Sequence, residues 1–174
     1  MASPPSRKPA PVLQRAAPAG SATPDAPDIL NVLLAQHVLT PEQVDKIRHA
    51  IRINPGPAEH AAIQMGLVTE VQIAQALAAH SGLTYVKINP LDLDLDIVTK
   101  ALSGPFARKH GMVAIAKSVD RITIAVHDPF APFPEEDVKR VTGLDVSRVV
   151  ATRSDVEAIN KGFYDLSTSL KNAE

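Results

Sequence analysis

Apolar positions between Asp28 and Ser81 recur at helical spacing. Val44, Ile47 and Ile51 lie at i, i+3 and i+7, and Ile73, Ala74, Leu77 and Ala78 repeat that face further along. The two stretches are diverged copies. VLTPEQV at Val38 to Val44 returns as LVTEVQI at Leu67 to Ile73, which sets Thr40 against Thr69, Gln43 against Gln72 and Val44 against Ile73, an offset of 29 residues. Each copy has an apolar run (Ile29 to Leu34, then Ala61 to Met65), a tight reversal, and an amphipathic stretch that Thr40 or Thr69 can open as N-cap. The pattern predicts a helix, turn, helix unit used twice. Asn54-Pro55-Gly56-Pro57 breaks the chain between the units, and Ser81-Gly82 ends the second.

After Gly82 the period changes. Thr84 to Ile88 reads as a short strand, and Asp94 to Leu102 and Pro105 to His110 as helical turns. Val113 to Lys117 and Arg121 to Val126 read as strands joined by Ser118-Val119-Asp120. Pro134 to Val141 is helical, with Pro134 at the first turn and Glu135, Glu136 and Asp137 favouring a helix amino terminus. Asp145 to Ala151 is a further strand, and Ser154 with Glu157 reads as a capping box opening the last helix. The predicted fold is α+β: a helical-repeat subdomain over 28–82, then a small βαββαβα subdomain over 83–166 with helices on a mixed sheet.

The ends read differently. Residues 1–27 hold seven of the chain's fifteen prolines, with Arg7, Lys8 and Arg15 before the first acid at Asp25, and predict a disordered tail. Residues 167–174 read as a linker-like tail after the last helix. Apolar residues make up 45% of the chain, enough for a core, but aromatics are only 3%, so Leu, Ile, Val and Ala must build it. A formal net charge of −1 gives no electrostatic reason to expect nucleic acid. The absence of cysteine excludes disulfides, thiolate-bound zinc and thiol chemistry, and fits a cytoplasmic protein. Neither a membrane-spanning apolar run nor a signal-peptide core is present.

Catalytic signatures are missing. No two glycines stand at GxxxxGK[ST] spacing, so this chain alone is not expected to hydrolyse ATP. Asp92-Leu93-Asp94-Leu95-Asp96 imitates the start of a calcium loop, yet Ile97 stands where glycine is needed and Ser103 where a bidentate Glu is needed. The six histidines are scattered, and neither catalytic nor metal-ligating residues are assigned. Ser118 and His127-Asp128 fall at different strand ends, against a hydrolase dyad. The predicted strands Val113 to Lys117 and Arg121 to Val126 lack the aromatics of an RNA-binding sheet.

The helical pairs ending near SGLTYVKI, followed by ARKHGMVAIA, RITIAVHDP, VTGLDV and ATRSDVEAINKGFY, resemble the amino-terminal, MshEN-like domain of type II secretion and type IV pilus assembly ATPases, the general secretion pathway protein E family. The likeness covers roughly Asp28 to Leu166. It implies a non-catalytic docking or regulatory domain that couples a hexameric motor to the cytoplasmic face of an inner-membrane assembly platform, its partner being a platform protein or a cytoplasmic adaptor protein of the machine. The isolated domain is then expected to be a monomer, with ATP confined to a missing motor domain toward which residues 167–174 would be the linker, so that by this resemblance the chain looks truncated. Arg108, Lys109 and His110 are the candidate docking residues, beside their reading as a helix end favoured by the macrodipole.

Some members of that family bind cyclic di-GMP through paired motifs whose length and spacer add up to the same 29-residue offset. Each motif begins Arg-Leu-Gly, has a central Gly-Leu and ends in Gln. Here the leading triplets fall on Asp28-Ile29-Leu30 and Pro57-Ala58-Glu59. The central pairs fall on His37-Val38 and Gly66-Leu67, and the final positions on Ile51 and His80. Both arginines and both leading glycines are absent, and Asp28 and Glu59 would repel phosphate. The expectation is a retained scaffold with a degenerate dinucleotide site, of which Gly66, Leu67 and His80 are the remaining candidate positions. Two alternatives stand beside the adaptor reading: a regulatory domain that still binds cyclic di-GMP by altered contacts, and a freestanding scaffold of the same fold.

Overall fold

The computed structural model describes residues 27–171. The Pro-rich segment 1–26, read above as a disordered tail, lies outside the described residues, as do 172–174.

The internal repeat is reproduced element by element. Helices α1 (Ile29–Ala35) and α2 (Pro41–Ile53) form the first pair, α3 (Ala58–Gln64) and α4 (Glu70–Ser81) the second. Thr40 and Thr69 each close a capping box: their hydroxyls accept the Gln43 and Gln72 N–H, while those glutamine side chains accept the threonine N–H at 2.8 and 2.9 Å. Two otherwise unpaired helix donors are satisfied at each start. Between helices the chain reverses identically, with Val38 N–H on Leu33 O and Leu67 N–H on Ala62 O. Leu33, Val44, Ile47, Ala62 and Ile73 meet in one buried cluster, with Leu34, Ile63 and Leu67 packed against it. Core packing therefore accounts for the apolar positions the repeat keeps.

The second half is a four-stranded mixed sheet in the order β1-β4-β3-β2. It comprises β1 (Thr84–Tyr85), β2 (Met112–Lys117), β3 (Arg121–Val126) and β4 (Asp145–Val150). β4 runs parallel to both β1 and β3, and β2 pairs antiparallel with β3. Three consecutive residues of β2, Met112, Val113 and Ala114, are fully buried, which requires cover on both faces of the sheet at that end. Helices α5 (Leu95–Ala101), α6 (Gly104–His110), α7 (Glu135–Thr142) and α8 (Arg153–Lys171) supply it through Val98, Ala107, Val138, Val156 and Ile159.

Two expectations are corrected. β1 stops at Tyr85 rather than Ile88, although the Val86 N–H still reaches Val150 O; Pro90–Asp92 is a short 3-10 turn. α8 is capped by Thr152, whose hydroxyl accepts the Asp155 N–H, and not by Ser154, whose own hydroxyl and N–H are taken by Glu70. α8 runs as helix from Arg153 to Lys171. The acids that imitate a calcium loop have local duties: Asp92 accepts from Asn89, Asp94 caps α5, and Asp96 pairs with Lys100.

Candidate functional site

The repeats dock through α4 on β1 and the carboxyl end of β4. Ala74 and Ala78 of α4 pack on Val150, with Leu83 and Tyr85 alongside. Around this apolar contact, polar links cross between the halves. Glu70 accepts the Ser154 hydroxyl at 2.7 Å and the Ser154 N–H at 3.2 Å, and Arg153 reaches Glu59 at 3.6 Å. The residues meet because α4 lies against β1 and β4, while Thr152 starts α8 directly after β4.

A cleft of about 210 Å³ opens beside these links, floored by Ile63, Ile73, Ala74 and Leu77 and walled by Glu59, His60, Glu70, His127, Asp128 and Arg153. His127 follows β3 and is half-buried. Burial first, and then the Arg153 charge, hold its pKa below the ordinary 6.5, against the opposing pull of Asp128, Glu157 and Glu59. Asp128 is turned inward to accept the Phe130 N–H at 2.9 Å, and Phe130 meets the His80 ring edge-on at 5.7 Å.

The sequence-derived dinucleotide positions do not converge. Gly66 and Leu67 lie in the α3–α4 reversal, Gly66 in open space with φ +69 and Leu67 against the helical core. His80 stands at the far end of α4, about 15 Å along the helix. The leading motif positions, Asp28 and Pro57, are the N-caps of α1 and α3. Asp28 accepts the Leu30 N–H and pairs with Arg48 at 3.1 Å, and Glu59 faces Arg153. Each acid expected to repel phosphate thus has a cation beside it.

Arg108, Lys109 and His110 form the last turn of α6, closed by Gly111 at φ 59. The Arg108 guanidinium lies 5.8 Å from the Tyr164 ring centre, and the His110 ring lies 4.7 Å from Phe106. Together with Arg153, Asn160 and Lys161 of α8 they line a second groove, with His127 in the wall that separates it from the junction cleft. Sequence reasoning missed His127, Arg153 and Glu70 as a set, because residues from α3, α4, β3 and α8 meet only in the fold. Ser118 sits in the β2–β3 turn, bonded to Asp120 and the Arg121 carbonyl, at the opposite end of β3 from His127. Among the described residues no group of three or more His, Asp or Glu is placed to hold a metal, and no helix is long and apolar enough to cross a membrane.

Paired helical repeats docked on a small mixed sheet, with a cleft at the joint, define a two-part α+β domain of the kind found at the amino terminus of secretion and pilus assembly ATPases. The chain belongs to the MshEN domain family, whose family model matches residues 81–170. It is similar to the type IV pilus assembly ATPase PilB of Myxococcus xanthus (strain DK1622), with 23% identity over 142 residues, 81% of this chain. The chain spans about a quarter of that relative's length. Its fold matches the solved structure of MshE with cdg at a TM-score of 0.62, with 20% identity, over 79% of this chain and 99% of that one. The N-terminal domain of XpsE matches at 0.55, also with 20% identity, over 76% of this chain and 91% of that one.

Proposed function

We propose that this chain is the docking and regulatory domain of a type II secretion or type IV pilus assembly ATPase, coupling the motor to the inner-membrane assembly platform from the cytoplasmic side. The observation that carries this is the joint. Glu59–Arg153, Glu70–Ser154 and the Ala74/Ala78/Val150 contact bind the helical repeat to the sheet, so a load on one half passes to the other. The repeat domain comprises 28–82 and the α+β domain 83–166. The isolated domain is a monomer, and hexamers form through the motor. The test is to delete residues 28–166 from the full-length protein and follow its association with inner membranes and its ATPase activity. Loss of association with activity retained is the expected result; unchanged association would overturn the coupling role.

The dinucleotide site is read as degenerate, because an N-cap carboxylate at Asp28 and a proline at Pro57 stand where arginines are needed. Calorimetry with cyclic di-GMP is expected to show no binding below millimolar concentration. A second reading, a regulatory domain that binds cyclic di-GMP by altered contacts, draws on the likeness to MshE with cdg and on the pairing of Asp28 and Glu59 with arginines. Under that reading binding is tight and is lost when Gly66 is replaced by a bulky residue.

A further inference from the structure

We propose that the groove between the end of α6 and the exposed side of α8 receives an acidic segment of a partner protein. The proposal rests on the docking role above and names its surface. The groove, about 690 Å³, gathers Arg108, Lys109, Arg153 and Lys161 against one acidic residue in its lining, Glu157. Glu157 is itself 4.0 Å from Arg153, so it does not balance the others. Among the described residues Arg108, Lys109 and Lys161 make no ion pair. The whole chain is nearly balanced, with 18 Lys and Arg against 19 Asp and Glu, so this is a local concentration of like charge.

The helix macrodipole explains only part of it. Cations in the last turn of α6 are favoured by that helix's carboxyl end. Lys161, in the middle of α8, and Arg153, at its amino terminus, gain nothing of the kind. Arg108 is also held in place by stacking over Tyr164, which lowers the entropy lost when it engages a carboxylate. The shape favours a peptide: the cations line a trough, into which an extended chain can lay carboxylates, whereas a flat bilayer reaches only the rim. Solvent-accessible charges of this kind raise association rate and specificity more than affinity, so binding should be salt-dependent.

The probe is a fluorescent octaglutamate peptide titrated into the chain at low salt. Saturable binding is expected, weakened about tenfold by Lys109→Glu with Lys161→Glu, a loss of about 1.4 kcal/mol. Both side chains are exposed, and thermal melts establish that the variant is folded. Lys117→Glu with Arg121→Glu, exposed cations at the β2–β3 turn, is the control and should leave affinity within about twofold. Equal loss in both variants, no peptide binding, or binding only to phosphatidylglycerol vesicles would overturn the proposal. In the full-length protein, membrane association that is lost on deleting 28–166 but kept in the Lys109/Lys161 variant would exclude this groove while leaving the coupling role intact.

Discussion

His37 and Gly66 occupy the same left-handed backbone position in the two repeats, at φ 57 and φ 69. Their N–H groups bond equivalent carbonyls, Leu34 and Ile63, at 3.1 and 2.9 Å. The reversal needs this conformation, and only glycine adopts it without a Cβ penalty of about 1–2 kcal/mol. His37→Gly should therefore raise stability by about 0.5–1 kcal/mol and Gly66→Ala lower it by about 1 kcal/mol. Nothing lies within 4 Å of a Cβ built on Gly66, so that loss is backbone strain alone. Urea denaturation of the two variants checks both signs; a His37→Gly protein weaker than the parent would show that the imidazole contributes more than the strain it carries.

Gly111 has two constraints where Gly66 has one. Its φ is +59, and an added Cβ would come within 2.2 Å of His127 Nε2. Gly111→Ala should cost about 2–4 kcal/mol, from left-handed strain plus displacement of a packed ring. The two parts separate in a double-mutant cycle: in a His127→Ala background the same change should cost only about 1–2 kcal/mol. Additive losses would mean that the ring moves aside freely.

Features decided within a few residues were legible in the sequence. Thr40/Gln43 and Thr69/Gln72 are caps whose donor and acceptor lie three residues apart, and β3 falls on its predicted bounds because Arg121 to Val126 carries strand-forming residues between polar ends. Features decided by distant partners were not. Ser154 looked like a cap until Glu70, 84 residues away, took its hydroxyl, leaving Thr152 to start α8. β1 shortens because its pairing with β4 ends at Val150, where that strand itself stops. The junction cleft was invisible for the same reason: Glu59, His127 and Arg153 are joined only by the docking of α3 and α8 around the ends of β3 and β4.

His127 should make the joint acid-sensitive. Its folded pKa lies below 6.5, because burial and Arg153 disfavour the imidazolium more than Asp128, Glu157 and Glu59 favour it. The unfolded chain thus binds the proton more readily. The stabilisation is fully present above the unfolded pKa and is lost as pH falls through the lower folded value. Between about pH 7.5 and pH 5.5 the melting temperature should drop, and His127→Gln should flatten that part of the curve. An identical slope in the variant would assign the sensitivity to another group.

Tyr164 gives the opposite sign at the alkaline end. Its hydroxyl donates toward the carbonyls of Val98 and Leu102, at 2.8 and 2.9 Å, and so closes the carboxyl end of α5, where Leu102 is already extended. Gly104 lets the ring in; a Cβ there would stand 2.8 Å from the Tyr164 Cδ1. Burial raises the phenol to about 12, partly opposed by Arg108, because the charged phenolate loses its hydration in the packed interior. The neutral phenol's contribution is present below the ordinary value of 10 and declines as pH rises through about 12. Tyr164→Phe should lose about 1–2 kcal/mol at neutral pH, since the single hydroxyl proton shared by two buried carbonyls is lost. The variant should also lose the Tyr164 share of the fall in stability above pH 10. Denaturant melts of parent and variant across that range test both statements; if Tyr164→Phe were as stable as the parent at neutral pH, the hydroxyl would not be what closes α5.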